Sequence, residues 1–280
     1  MPLGLSDNLF KRIISALALL PVVLGAIYLG DWWFYTLLVI GGYMMTTEWH
    51  MMLKNNQKPY IIGSFLCVST LPLPILVFQT EETQFALWTI GIILLFALIL
   101  LLYRPAKLSQ IDSSASVATS LSGVAYIGLA ILSLMWLRHL DNDGLLVIWL
   151  FFAVWAMDVG GYFAGKSIGG PKLAPSISPK KTWAGLIGGM LLAALVSLVI
   201  SYLFGWGTPL NFAIAGAVVA LVAQLGDLYE SAIKRHMDIK DSGSIIPGHG
   251  GILDRVDGII FAAPFTALVI AVAILNGAGQ

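Results

Sequence analysis

Charged side chains are scarce in this sequence. Only 11% of its 280 residues are Asp, Glu, Lys or Arg, whereas 58% are hydrophobic. A soluble globular domain carries about 25% charged residues, because its surface faces water. The shortage excludes a disordered chain and a soluble enzyme, and it predicts an all-α, polytopic integral membrane protein.

The few charges are balanced, and cysteine is almost absent. Fifteen basic residues match fifteen acidic ones, so no overall positive field favours nucleic acid as a partner. The single cysteine, Cys67, excludes an internal disulfide framework and a cysteine-rich metal site. It lies in an apolar run, where we expect a small core side chain.

Long apolar segments occupy most of the chain. A helix that crosses a bilayer needs about 20 mainly apolar residues. By this criterion we expect nine spans, near residues 13–30, 32–51, 60–79, 85–103, 116–137, 144–165, 183–204, 209–226 and 255–276. Pro72 and Pro74 should kink the third span, and the sequence from Gly205 to Pro209 should separate the seventh from the eighth.

Basic residues in alternate loops predict the topology. Thirteen of the fifteen lie on one side of the nine-span arrangement, with Arg138 on the other side and Arg255 at the mouth of the ninth span. Because cytoplasmic loops are enriched in Lys and Arg, we expect a cytoplasmic N-terminus and an external C-terminus. We divide the chain into an N-terminal region, 1–140, with spans one to five, and a catalytic region, 141–280. The catalytic region holds spans six to nine and the cytoplasmic loops 166–182 and 231–252.

The acids that lie within or beside spans gather in the second half of the chain. They are Asp158, Asp227, Glu230, Asp254 and Asp257. A charge at membrane depth costs about 2.5–3.5 kcal/mol on insertion scales, so such residues usually face a polar interior and mark function. Structural ion pairs, such as Arg255 with Asp254 or Asp257, are the alternative explanation.

Helical spacing brings several polar groups together. Four of them recur at intervals of three, four and three residues and therefore share one helical face: Gln224, Asp227, Ser231 and Lys234. Asp254 and Asp257 are three residues apart and share another face. Carboxylates on two helix ends would form an oxygen-rich site of the kind that Mg²⁺ prefers, together with substrate phosphates.

Two cytoplasmic loops have features of phosphate binding. The loop after Ser231 contains basic residues and the glycine-rich run 247–251, whose backbone N–H groups can approach an anion. The other loop ends in Ser178-Pro-Lys-Lys-Thr182 directly before a span, and a helix N-terminus favours an anion. As an alternative, Lys180 and Lys181 serve only as topology anchors or contact anionic lipid headgroups.

A P-loop pattern, G-x-x-x-x-G-K-[ST], is matched by Gly160, Gly165, Lys166 and Ser167. That motif requires a buried strand before it, whereas a membrane span precedes it here, so we do not interpret it as a nucleotide loop. We expect close helix contacts at two glycine pairs instead: Gly161 with Gly165, and Gly185 with Gly189.

The segment from Ser231 to Asp257 closely resembles the signature of the phosphatidate cytidylyltransferases, also called CDP-diacylglycerol synthases. Every fixed position of that signature is filled: Ser231, Lys234, Arg235, Lys240, Asp241, Pro247, His249, Gly250, Gly251, Asp254, Arg255 and Asp257. Stretches that begin at Asp158 and Ser178 resemble the family's D-x-x-A-Y-x-x-G and S-P-K-K-T-x-E-G elements. Gly161 replaces the alanine and Ala184 replaces the glutamate, which puts in doubt any essential carboxylate at position 184.

The resemblance implies a reaction in which the CMP moiety of CTP passes to phosphatidic acid, giving CDP-diacylglycerol and pyrophosphate. It implies Mg²⁺ as cofactor, with K⁺ as a candidate second cation. The implied metal ligands are Asp227 and Asp254, with Asp158, Asp241 and Asp257 as further candidates. Lys234 and Arg255 complete the implied catalytic set.

The implied substrate-binding residues come from both loops: Ser178, Lys180, Lys181, Thr182, Ser231, Arg235, Lys240, His249, Gly250 and Gly251. For His249, a bond to a phosphate and a role in holding the glycine run stay equally open. The resemblance also implies a bacterial inner membrane with the active site on the cytoplasmic side. Glycine-rich spans permit a homodimer.

Two other functions fit part of the pattern. Asp254-Arg-Val-Asp-Gly258 imitates the opening of the CDP-alcohol phosphatidyltransferase motif, but no acid follows Asp257, so that interpretation fails. A cation-coupled transporter would also explain Asp158 and Asp227 within spans. It predicts polar groups near the bilayer midplane and related halves, whereas the charges here gather at span ends.

Overall fold

The chain is described by a computed structural model over residues 7–54, 58–77, 91, 113–141, 143–243 and 250–277. Most of these residues are helical. The helices are α1 (Asp7–Leu29), α2 (Asp31–Met52), α3 (Lys58–Thr70), α4 (Leu73–Val77), α5 (Ser113–Gly123), α6 (Leu129–His139), α7 (Leu145–Ser167), α8 (Trp183–Phe204), α9 (Pro209–His236) and α10 (Leu253–Leu275). A turn of π-helix, Val124–Gly128, joins α5 to α6.

Six helical segments among the described residues are long and apolar enough to cross a membrane. They are Lys58–Ile75, Val117–His139, Leu145–Ser167, Trp183–Phe204, Pro209–His236 and Leu253–Leu275. The outer face of α8 exposes Ile187, Leu191 and Leu195, as expected of a surface in contact with lipid. The prediction of an all-α membrane protein is therefore confirmed, while the count of nine spans stays a prediction. The predicted fourth span lies almost wholly outside the described residues.

The two predicted interruptions are confirmed. Pro72 lies between the end of α3 and the start of α4, because its ring cannot continue the helix. Gly205 ends α8 in the left-handed conformation, with φ of 66°, and Pro209 is the first residue of α9. Glycine after a helix and proline at the start of one are the residues that these backbone positions favour.

The predicted start of the loop 231–252 is wrong, because the loop begins only after His236. The eighth span does not end at Gly226, because α9 continues as an unbroken helix to His236. No glycine or proline interrupts residues 227–236, and three basic side chains in the last turn suit the negative end of the helix dipole. Asp227 therefore lies inside a helix, nine residues before its end, rather than at a helix end.

The loop before α8 contains a small antiparallel hairpin that the sequence did not predict. Strand β1 (Lys172–Ala174) pairs with β2 (Ser178–Thr182). Thr182 then caps α8, since its hydroxyl oxygen accepts a hydrogen bond from the Gly185 backbone N–H at 3.1 Å. The hairpin thus holds the two lysines of β2 directly above the start of α8.

Residues 160–167 are helical, which excludes the P-loop interpretation. Helices α7 and α8 pack closely against each other along their glycines. A Cβ atom at Gly160 would lie 2.7 Å from the Gly188 carbonyl oxygen, and one at Gly185 would lie 2.9 Å from that of Gly161. The predicted glycine contacts are thereby confirmed.

A Gly160→Val substitution is expected to destabilise the protein by about 1–3 kcal/mol, because the side chain must push α7 away from α8. The melting temperature in detergent checks this. Gly63→Val is the matched control, since Gly63 lies on α3 with no heavy atom near the added Cβ. Equal melting temperatures for both variants would contradict the close packing.

The buried core contains residues from both halves of the chain. Trp49 of α2 stacks on Tyr126 of the π-turn, with ring centroids 4.9 Å apart, and Tyr126 contacts Phe261 of α10. Cys67 is exposed on α3, so its assignment to the core is wrong. In a membrane protein an apolar run can face lipid as well as the core, and composition does not separate the two.

Candidate active site

Carboxylates from three helices meet in one region of the bundle. Asp158 of α7, Asp227 and Glu230 of α9, and Asp257 of α10 are close enough for their charges to act on one another. Helix α9 is central to this arrangement because it packs against α7, α8 and α10. Like charges within such a region require cations for compensation.

A cleft of about 330 Å³ opens beside these carboxylates. Its polar lining comes from α7, β2 and α9: Asp158, Tyr162, Lys166, Lys180, Lys181, Thr182, Gln224 and Asp227. Lys181 forms an ion pair with Asp227, and the Ser231 hydroxyl donates to Asp227 Oδ1 at 3.2 Å. The structure thus brings together the two sequence elements that carry the predicted lysines and the predicted aspartates.

A second group of charges lies around Lys234, which is buried. Its ammonium donates to Glu230 Oε1 at 3.1 Å and to Asp254 Oδ1 at 2.5 Å. The other oxygen of Asp254 accepts the backbone N–H groups of Ser242 and Gly251 at 3.0 and 3.2 Å. Asp254 is therefore held in one orientation by three donors, and its cationic partner is Lys234.

Tyr126 joins this group from the N-terminal half of the chain. Its buried hydroxyl donates to Glu230 Oε2 at 3.3 Å. The residue lies in the π-turn between α5 and α6, and such turns are frequent at functional sites. Tyr126 was not identifiable from the sequence, since nothing distinguishes one tyrosine in an apolar span from a core side chain.

Glu48 is a second contribution from the N-terminal half that sequence analysis missed. The side chain is fully buried and accepts hydrogen bonds from Ser242, Ile252 and Leu253. A signal was present, because Glu48 lies within the predicted second span, where a carboxylate is costly. A charge at membrane depth is as costly at Glu48 as at Asp158 and Asp227, so its position alone indicated function.

The other predicted site residues have diverse positions. Arg235 is exposed and donates to the carbonyl oxygens of Ile177 and Ile239, so it ties α9 to the hairpin. Arg255 interacts electrostatically with Asp158. Three more lie away from the cleft lining: Ser178 in β2, and the exposed Lys240 and Asp241 in the segment after α9.

The predicted glycine run is described only in part. His249 lies outside the described residues. Gly250 has φ of 86°, a conformation that favours glycine, and the Gly251 N–H bonds Asp254. The two described glycines thus lie beside Asp254, and the Gly251 N–H, which was expected to approach a substrate anion, bonds this carboxylate.

Comparison with known proteins identifies the family. The model of the cytidylyltransferase family matches residues 10–273. The chain belongs to this family. The match covers the N-terminal helices, whereas the resemblance in the sequence motifs was confined to the second half of the chain.

Curated relatives agree with this membership. A phosphatidate cytidylyltransferase of Brucella suis is 36% identical over 264 residues, covering 92% of this chain and 91% of the relative. One of Rickettsia bellii is 33% identical over 92% of this chain and 89% of its own length. One of Bacillus subtilis is 39% identical over 64% and 67%, respectively. These matches favour the enzyme over the transporter interpretation.

The charges of the candidate site are of the kind that suits a divalent cation. Five carboxylates (Asp158, Asp227, Glu230, Asp254 and Asp257) lie among three cationic side chains (Lys181, Lys234 and Arg255). Within the described part of the chain, no three His, Cys, Asp or Glu side chains form a ready-made metal cage. Mg²⁺ needs only one or two carboxylates when substrate phosphates supply further oxygens, so the donor set suits it.

Proposed function

We propose that this member of the family transfers the CMP moiety of CTP to phosphatidate at the cleft between β2, α7 and α9. The observation that carries the proposal is the placement of Lys180 and Lys181 beside Asp158 and Asp227 in one cleft. A soluble nucleotide with several negative charges needs such cations. The names of the curated relatives supply the lipid substrate.

The reaction is a nucleotidyl transfer. A phosphate oxygen of phosphatidate attacks the α-phosphorus of CTP and forms a new P–O bond. The bond from the α-phosphorus to the oxygen that bridges the β-phosphorus breaks, and pyrophosphate leaves. No general base is required, because the attacking phosphate is already ionised near neutral pH.

Lys181 couples the binding of CTP to the state of the Asp227 carboxylate. Its ammonium contacts Asp227 and also lines the cleft. An incoming phosphate competes with Asp227 for this ammonium, and charge-assisted bonds to phosphate are strong. Binding of CTP therefore draws Lys181 away and frees the oxygens of Asp227.

Asp227 and Asp254 are the proposed Mg²⁺ ligands, with Asp158 and Asp257 next to them and K⁺ as a candidate second ion. When bound, the metal neutralises phosphate charge and stabilises the leaving pyrophosphate. Lys234 keeps Asp254 in place, and it offsets the charge of Glu230. The ion pair between Lys234 and Asp254 thereby holds α9 and α10 together beside the site.

The membrane orientation is part of the proposal. Nine spans with a cytoplasmic N-terminus place the loops of the site on the side where CTP is available. The strong bias of Lys and Arg toward that side supports this orientation. Given its bacterial relatives, the protein belongs in a bacterial inner membrane. A homodimer is compatible with its glycine-rich helices.

Purified protein in detergent tests the function. With phosphatidate, labelled CTP and Mg²⁺, we expect labelled CDP-lipid and one pyrophosphate for each product molecule. Chelation by EDTA should remove the activity, and added Mg²⁺ should restore it. Absence of CDP-lipid would overturn the proposed reaction, and full activity in EDTA would overturn the metal requirement.

A further inference from the structure

Glu48 connects α2 to the segment that carries Asp254. Its Oε1 accepts a hydrogen bond from the Ile252 N–H at 3.0 Å. Its Oε2 accepts one from the Leu253 N–H at 3.0 Å and one from the Ser242 hydroxyl at 3.2 Å. The carboxylate is fully buried, so these donors replace the water that a charged group would otherwise require.

Glu48 acts as the cap of α10. The first N–H groups of a helix have no partner within the helix, and a side chain just before it commonly accepts them. Ile252 occupies that position, and its apolar side chain cannot accept a hydrogen bond. Glu48 accepts hydrogen bonds from the backbone N–H groups of Ile252 and Leu253 instead. A negative charge also suits the positive end of the helix dipole. Since this cap belongs to another helix, it locates the start of α10 relative to α2.

Ser242 joins Glu48 to Asp254. Its hydroxyl donates to Glu48, and its backbone N–H donates to Asp254 Oδ2 at 3.0 Å. The backbone around Glu48 is also tightly packed, because a Cβ at Gly243 would lie 2.6 Å from Glu48 Oε1. A shift of the Glu48 carboxylate therefore moves the backbone groups that orient Asp254.

We propose that Glu48 is a positioning residue for cytidylyl transfer. It holds Ser242 and the start of α10 so that Asp254 keeps the orientation needed at the site. The proposal rests on the proposed function, in which Asp254 is a metal ligand. It also gives the N-terminal helices a task in the reaction besides anchoring the protein in the membrane.

A Glu48→Gln variant tests this role. The amide keeps the size of the side chain but cannot offer two acceptor oxygens to three donors. We expect kcat to fall about tenfold and the Mg²⁺ concentration for half-maximal activity to rise about tenfold, as for other groups that orient metal ligands. Thr47→Val is the control, because Thr47 is the half-buried neighbour on the same helix and its hydroxyl donates to the Tyr43 carbonyl oxygen. This variant should retain wild-type values.

Hydrogen exchange at single amides provides a readout that is independent of activity. If Glu48 positions Asp254, exchange in the variant accelerates about tenfold at Ser242 and Gly251, whose N–H groups bond Asp254. If Glu48 is only a cap, exchange accelerates at Ile252 and Leu253 alone and kcat per folded molecule stays at the wild-type value. That second result would overturn the proposal.

A second variant separates the loss of positioning from misfolding of Glu48→Gln. Gly243→Ala keeps the carboxylate and displaces it, so it should reproduce the loss of kcat and the faster exchange at Ser242 and Gly251. Wild-type activity in this variant would contradict the positioning role. If the wild-type protein itself made no CDP-lipid, the proposed function would fail, while exchange at Ser242 and Gly251 would still decide whether Glu48 orients Asp254.

Discussion

An Asp254→Asn variant is expected to lose roughly 100- to 1,000-fold in kcat, the size of effect seen when one electrostatic group is removed from an active site. Asparagine can still accept the N–H groups of Ser242 and Gly251 through its carbonyl oxygen. It carries no charge, however, so it can neither pair with Lys234 nor hold Mg²⁺ strongly. Labelled product formed by the purified variant measures the effect.

The fold of this variant should survive, because Glu230 still bonds Lys234. Its melting temperature separates loss of chemistry from loss of structure. Asp238→Asn is the matched control: Asp238 is exposed just after α9, with φ of 57°, a conformation that asparagine also tolerates. Wild-type turnover in Asp254→Asn would exclude Asp254 from the reaction.

A Lys181→Met variant is expected to lose about 100-fold in kcat/KM for CTP. A hydrogen bond to a charged group contributes about 1.5–3 kcal/mol, and 1.4 kcal/mol corresponds to a factor of ten. The loss has two physical sources, since Lys181 both offers a cation to the phosphates and compensates Asp227. Initial rates at varied CTP concentration measure kcat/KM.

Two further variants sharpen this test. Lys172→Met removes the same charge from an exposed position of β1 on the same hairpin and should leave kcat/KM unchanged. Lys181→Arg keeps the charge and should recover much of the loss. Equal kcat/KM values in Lys181→Met and Lys172→Met would mean that Lys181 serves only as a topology anchor or as a contact to anionic lipid headgroups, the alternatives that the sequence left open.

The carboxylates that the second half of the chain contributes to the candidate site were largely identifiable from the sequence. Charges in apolar spans are costly, so Asp158, Asp227 and Asp254 were identifiable by position alone. The spacing that placed Asp227 and Ser231 on one helical face is confirmed by their hydrogen bond. Lys234, which the same spacing puts on that face, pairs with Glu230 and Asp254.

The choice of partners was not predictable. Spacing along one helix cannot reveal that Lys181, from a hairpin, pairs with Asp227, or that Lys234 pairs with Asp254 across two helices. The hairpin itself escaped prediction because its strands of three and five residues are too short for a periodic pattern.

The sequence by itself determined the membrane class, the helix breaks at Pro72 and Gly205, and which spans carry charged side chains. Hydropathy and the backbone preferences of proline and glycine act over only a few residues, so they can be recognised without the tertiary structure. The tertiary structure alone decided that Glu48 and Tyr126 reach the site. Glu48 and Leu253 are 205 positions apart, and only packing of α2 against α10 makes them partners. A contact between residues so far apart in the chain produces no periodic pattern in the sequence, because each residue fits its own helix independently of the other.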